Sequence, residues 1–154
     1  MSRRRLGYLL KHAQLRLAEL TGPALAPYGI DGRELAVLSV LETEPETGPR
    51  TEPETGPRTG PGTGEPLSQQ EAAQRLRIDR TTMVAMIDAL EAKGLVARRP
   101  HPGDRRKNAV ELTPRGRDTL RDGGVAVDGA ERAFLSGLTD DDASLLRDVL
   151  SRLV

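Results

Sequence analysis

Apolar residues along the chain recur first at helical spacing, then in alternation, then at helical spacing again. Leu6, Leu9, Leu10, Ala13, Leu17 and Leu20 predict a long helix over residues 3–26, with Gly22 and Pro23 placed to fray or kink its end. Pro27, Tyr28 and Gly29 then break the chain. Asp31 is set to cap a second helix, with Glu34 three residues on and Leu35, Leu38 and Leu41 inside. Ser68 and Glu71 form an S-x-x-E capping box for a short helix that buries Ala72, Ala73 and Leu76. Asp79 stands as N-cap of the next helix, where Met83, Met86, Ile87 and Leu90 fall at i, i+3, i+4 and i+7. Lys93 and Gly94 close it, a cation at the negative helix end and a glycine just past it. The opposite face, Arg80, Thr81, Thr82, Val84, Ala85 and Ala89, is left for solvent or for whatever displaces it.

After Gly94 the rhythm becomes that of strands, at residues 95–99 and 108–112. The connection between them, residues 100–107 (PHPGDRRK), is too long for a tight turn and strongly basic. Helix, turn, helix and a hairpin with a cationic tip make a winged helix-turn-helix. Its second helix is sized for a DNA major groove, roughly 12 Å wide. The tip can reach the backbone or the narrower neighbouring groove, where negative potential is enhanced. Thr113 followed by Pro114 is a strong helix start. That helix runs through Leu120, Val127 and Phe134, and its interior Gly123 and Gly124, at ~1 kcal/mol each against alanine, predict a kink or local loosening. Thr139 opens a last helix, with Asp140, Asp141 and Asp142 at its positive end and an apolar stripe of Leu145, Leu146, Val149, Leu150 and Leu153.

The run IDRTTMVAMIDALEAKGLVARRPHPGDRRKNAVELTPRG resembles the MarR family of bacterial transcription regulators. The likeness extends to LGYLL near the start, to LAPYGIDGRELAVLSVLE and to the closing helical pair, leaving residues 43–66 as an insertion. The resemblance implies a mainly α fold with a small β-hairpin. It makes residues 1–154 a single MarR-type domain, with the winged helix-turn-helix at 32–113 and dimerisation helices at 3–26 and 114–153. It also implies a homodimer built by interleaving the terminal helices and bound to double-stranded DNA. Two recognition helices about one DNA turn apart, roughly 34 Å, would sit on a palindromic operator. The expected role is a repressor relieved by a small aromatic or anionic effector.

Carried over position by position, the resemblance puts Arg80, Thr81, Thr82, Val84 and Ala85 in the groove. Asp104 and Arg106 match the family's D-x-R, in which the aspartate orients the arginine that enters the minor groove. Arg105 and Lys107 fall on phosphate, as do Ser68, Gln69 and Gln70, with helix capping an equal reading of Ser68. The chain departs from the family at Ala85 and Ala89, where many relatives carry arginine. Bidentate arginine to guanine is worth ~1–3 kcal/mol of discrimination, and none can come from those positions. Specificity then leans on Arg80, on thymine-methyl contact from Val84, or on DNA shape. The effector pocket the family implies would be walled by Tyr8, Leu9, His12, Leu35 and Leu38, each of which also reads as plain core.

Residues 43–50 (TEPETGPR) recur unchanged at 51–58, and a degenerate third copy follows to residue 66. Proline every few residues forbids helix, and nothing apolar offsets the cost of ordering, so a solvated loop is expected. Loop-closure entropy grows slowly with length, so the fold can carry it.

Composition narrows the function. With 36% hydrophobic residues and only Tyr8, Tyr28 and Phe134 aromatic, the core must be built from aliphatic side chains. Zero cysteines exclude disulfides, thiolate metal sites and cysteine-based sensing. His12 and His101 have no ligand-spaced partners, so neither metal nor cofactor is expected. An enzyme is disfavoured by the absence of a nucleophile elbow, and the glycines at 48–64 lie in the wrong context for a phosphate loop. No membrane-length apolar run or signal-peptide core is visible, which makes the cytoplasm the expected location. The formal net charge is zero, yet residues 67–117 carry 11 basic against 6 acidic residues, +5, and the remainder 12 against 17, −5. A basic middle suits phosphate contact, the main source of affinity for nucleic acid. The rival reading is a winged-helix protein-interaction module that reads no DNA, favoured by the small side chains of the recognition face.

Overall fold

The computed structural model describes residues 5–42, 66–101 and 104–153. Along them run α1 (Leu6–Leu25), a 3-10 turn (Ala26–Tyr28), α2 (Gly32–Leu41), α3 (Gln69–Leu76), α4 (Arg80–Ala92), β1 (Val96–His101), β2 (Asp104–Leu112), α5 (Pro114–Leu135) and α6 (Asp140–Ser151). The order is that of a winged helix-turn-helix with flanking helices, mainly α with one hairpin. The expected loop at 43–66 falls, apart from Pro66, outside the described residues. The chain divides into two compact units, residues 36–120 and residues 1–35 with 121–154.

The unit 36–120 holds the helix-turn-helix and the hairpin. Its helices begin where side-chain chemistry can satisfy their orphan N–H groups. Ser68 Oγ accepts from the Glu71 amide at 3.3 Å, and Glu71 Oε2 accepts from the Ser68 amide at 2.8 Å, completing the capping box. Asp79 Oδ1 accepts from the Thr82 amide at 2.9 Å. Met83, Ile87 and Leu90 of α4 close the core with Val37, Leu38, Leu41, Ala72, Ala73, Leu95, Val96, Val110 and Leu112. Met86 and Leu76, expected inside, are half-buried at the edges of their faces. α4 stops at Lys93, with Gly94 at φ 72°.

The hairpin corrects the sequence reading. Residues 100–107, expected as a loop, belong almost wholly to the two strands. β1 pairs antiparallel with β2 from Val96↔Leu112 to His101↔Asp104, with a shift in register between Pro100 and His101. Proline is tolerated because an edge strand can leave one side of its backbone unpaired. Ser68 bridges Ala109, and the Val110 amide donates to the Leu67 carbonyl at 2.9 Å, so the chain entering α3 adds a short third member to the ribbon.

In the other unit α1 continues through Pro23 and gives way to the 3-10 turn, after which Gly29 takes φ 67°. Asp31 Oδ1 accepts from the Glu34 amide at 2.8 Å and Glu34 Oε2 from the Asp31 amide at 3.0 Å, a second reciprocal cap. α5 is one helix through Gly123 and Gly124, where loosening was expected. A Cβ on Gly123 would meet Leu35 Cδ1 at 3.2 Å and Leu25 Cδ2 at 3.4 Å, so that glycine admits close packing rather than a break. Thr139 caps α6 through the Asp142 amide at 3.2 Å. The α6 stripe is not buried in the single chain: Leu145, Leu146, Val149, Leu150 and Leu153 are all exposed, as are Leu6, Tyr8, Leu9, Leu10 and Leu15 of α1.

Candidate nucleic-acid interface

The amphipathic spacing that buries Met83, Ile87 and Leu90 forces the other side of α4 outward. Arg80, Thr81, Thr82, Ala85, Asp88 and Ala89 are exposed there, with Val84 half-buried at the margin. Thr81, Ala85 and Asp88 follow one another at i, i+4 and i+7 and share one ridge. The Thr82 hydroxyl donates to Asp79, so it belongs to the cap and is not a free donor. That hydroxyl and the Thr82 amide hold the Asp79 carboxyl below its ordinary value.

Before α4 the turn is built by backbone bonds from Arg77 to Gln74 at 3.2 Å and from Ile78 to Ala73 at 2.9 Å. They require Arg77 to adopt φ 52°, the one positive φ outside glycine among the described residues. Arg75, Arg77 and Arg80 stand exposed around this turn. Sequence reasoning had singled out only Arg80. The signal for the other two was their position, one at the end of a helix and one in the turn between two helices.

At the start of α3, Ser68 is only 6% exposed and is occupied by its cap, which favours the capping reading over phosphate contact. Gln69 is half-buried, and with its side-chain amide turned so that its oxygen faces the guanidinium it accepts from Arg98 Nε at 2.6 Å and Nη2 at 3.2 Å. Arg98, which the sequence marked only as a strand residue, is the meeting point of three elements. It sits in β1, its Nη1 donates to Glu91, and its Nη2 donates to Asp88. Its backbone amide also donates to Glu91 Oε1 at 3.2 Å. Burial works against its charged form, but the hydrogen bonds it donates to Asp88 and Glu91 outweigh that and raise its pKa above the ordinary value.

Asp104, Arg105, Arg106 and Lys107 open β2, with Asp104 opposite His101. Their backbone thus lies at the tip of the ribbon, while their side chains lie outside what is described. The proposed effector residues are dispersed in character. Tyr8 and Leu9 are exposed on α1, and the Tyr8 and His12 rings lie 4.1 Å apart at 42°. Leu35 is half-buried and Leu38 completely buried. No group of histidine and acidic side chains able to hold a metal ion exists among the described residues. None of the helices there is long and apolar enough to cross a membrane.

The MarR family model matches residues 60–107. A putative transcriptional regulatory protein for the hcr operon of Thauera aromatica is 34% identical over 87 residues, 56% of this chain and 52% of that protein. The chain spans about half the length of the curated relatives it matches. Among solved structures, the transcriptional repressor CouR bound to a 23-mer DNA duplex superposes with a TM-score of 0.78 at 31% identity, covering 97% of this chain and 92% of that one. CouR from Rhodococcus jostii RHA1 bound to p-coumaroyl-CoA superposes with a TM-score of 0.71 at 28% identity, covering 96% and 90%.

Proposed function

Because the chain belongs to the MarR family, we propose that it is a DNA-binding transcription regulator acting as a homodimer on a palindromic operator. In this reading it represses its target and is released by a small-molecule ligand. The observation that carries the reading is the outward ridge of α4, uncovered from Arg80 to Ala89, beside a ribbon whose tip sequence is D-R-R-K. CouR, similar over nearly the whole chain, is a repressor solved on duplex DNA, which supports the same use of this face.

Arg80 and Thr81 reach phosphates or base edges, and Val84 and Ala85 make apolar contact in the major groove. Arg106, oriented by Asp104, enters the minor groove, and Arg105 and Lys107 hold phosphate. Gln69 serves the interface through Arg98. The exposed leucines of α1 and α6 form an apolar surface of the kind that marks a protein contact, and a second copy of the chain is the proposed occupant. For the effector, Tyr8, Leu9, His12, Leu35 and Leu38 remain the proposed wall. The p-coumaroyl-CoA held by CouR supports an aromatic, anionic ligand.

Selection from a randomised duplex pool with the purified full chain tests the reading. It should enrich an inverted repeat whose half-sites lie roughly 10 base pairs apart. Binding should fall steeply with salt, by about 0.9 in log slope per phosphate contact. Arg106→Ala should weaken it at every salt concentration. Retention of no duplex, or binding indifferent to both salt and Arg106, would leave a protein-docking module instead.

A further inference from the structure

An acidic residue on the ridge of a helix proposed to enter a groove lined with phosphate needs an account. Asp88 shares the ridge of Thr81 and Ala85, and its side chain is 60% exposed. Glu91 stands one turn further on, 41% exposed. Left alone, these carboxylates would repel the duplex that Arg80 attracts. The structure gives both to a single cation: Arg98, only 22% exposed, spends its two terminal nitrogens on Asp88 and Glu91 and shares its inner edge with Gln69. A planar guanidinium can serve three acceptors at once. The same bonds tie β1, and with it the base of the hairpin, to α4 and α3.

We propose that Arg98 is a positioning residue for duplex binding, acting by cancelling the Asp88 charge on the outward ridge of α4 and the Glu91 charge one turn further on. The proposal rests on the DNA-binding reading above.

The test uses the full chain and the duplex that the wild type enriches from a randomised pool. Arg98→Gln should weaken binding about tenfold or more at low salt, roughly 1.4 kcal/mol, and the loss should shrink as salt screens the unmasked carboxylates. Adding Asp88→Asn and Glu91→Gln to Arg98→Gln removes the unmasked charge, so affinity should return to within about threefold of wild type. A purely structural Arg98 would not allow this recovery, because the triple variant still lacks every bond to the guanidinium. Melting temperatures measured alongside should place the single and triple variants together. If Arg98→Gln does not fold, Arg98→Lys decides: it keeps the charge and should stay within about threefold of wild type at low salt. Wild-type affinity in Arg98→Gln, a triple variant as weak as the single one, or a tenfold loss in Arg98→Lys each overturns the proposal. A wild-type chain that enriches no duplex removes the DNA-binding reading itself and this inference with it, an outcome distinct from the other three.

Discussion

Replacing Gly116 with alanine tests how closely α5 is held against the end of the helix-turn-helix. A Cβ at this position would lie 1.9 Å from the Leu95 carbonyl oxygen and 3.0 Å from its carbon, both backbone atoms. That oxygen accepts from the Thr113 amide at 3.0 Å and from Thr113 Oγ1 at 3.2 Å. Thr113 Oγ1 in turn caps α5 by accepting from the Gly116 amide at 3.0 Å. Alanine must therefore push α5 off the Leu95 carbonyl by more than an ångström, breaking two hydrogen bonds at ~1 kcal/mol each. Residual overpacking adds ~1–3 kcal/mol, and the better helix propensity of alanine returns ~1 kcal/mol. The net loss is ~2–4 kcal/mol, which for a chain of this size lowers the melting temperature by roughly 5–15 °C. Gly124→Ala is the control, because nothing lies within 4 Å of its Cβ. The same helix should then gain up to ~1 kcal/mol. Urea and thermal unfolding of the two variants measure both. If Gly116→Ala unfolds within ~0.5 kcal/mol of wild type, a margin ordinary for surface changes, the claimed close approach does not exist.

Asp79→Ala removes the α4 cap and should lower the midpoint of urea unfolding. Because the folded carboxyl titrates below its usual 3.8, the cap's contribution is present above that value and fades as pH falls through the lower folded value; a midpoint at or above 3.8 by carboxyl NMR would contradict it. Arg77→Gly relieves the φ of 52° and should stabilise the chain by up to ~1 kcal/mol, yet weaken duplex affinity; affinity that rises or holds would remove Arg77 from the interface. Val149→Glu with Leu153→Glu, exposed apolar positions on α6 and just past its end, should give a species of half the wild-type mass in sedimentation, and an unchanged mass would move the dimer surface elsewhere.

What the sequence disclosed depended on how local the chemistry was. Caps at Ser68, Asp79, Asp31 and Thr139 were legible because each is a side chain meeting a backbone N–H two or three residues away. The core face of α4 was legible through its period. The length of the ribbon was not, since Pro100 and four consecutive charged residues at 104–107 read as loop, while Pro100 pairs with Asn108 and Asp104 with His101. The Gly123–Gly124 pair read as weakness because propensity speaks for the helix alone, whereas Gly123 answers to Leu25 and Leu35. Arg98 was invisible for a related reason: its partners lie 7 and 10 residues back, across a turn and a change of secondary structure. Of the candidate contacts, Arg80, Thr81 and Ala85 stand where their exposed face was predicted, while Ser68 and Thr82 are spent on caps.

Site-directed photocrosslinking from residue 85 tests most directly whether the outward side of α4 enters a groove. A photoreactive residue at position 85, mid-ridge on α4, should form adducts with bases of the enriched duplex, one cluster in each half-site. The same residue at position 149 on α6 should form none. Base adducts confined to residue 149, or a duplex that stays bound without any adduct from residue 85, would contradict the account.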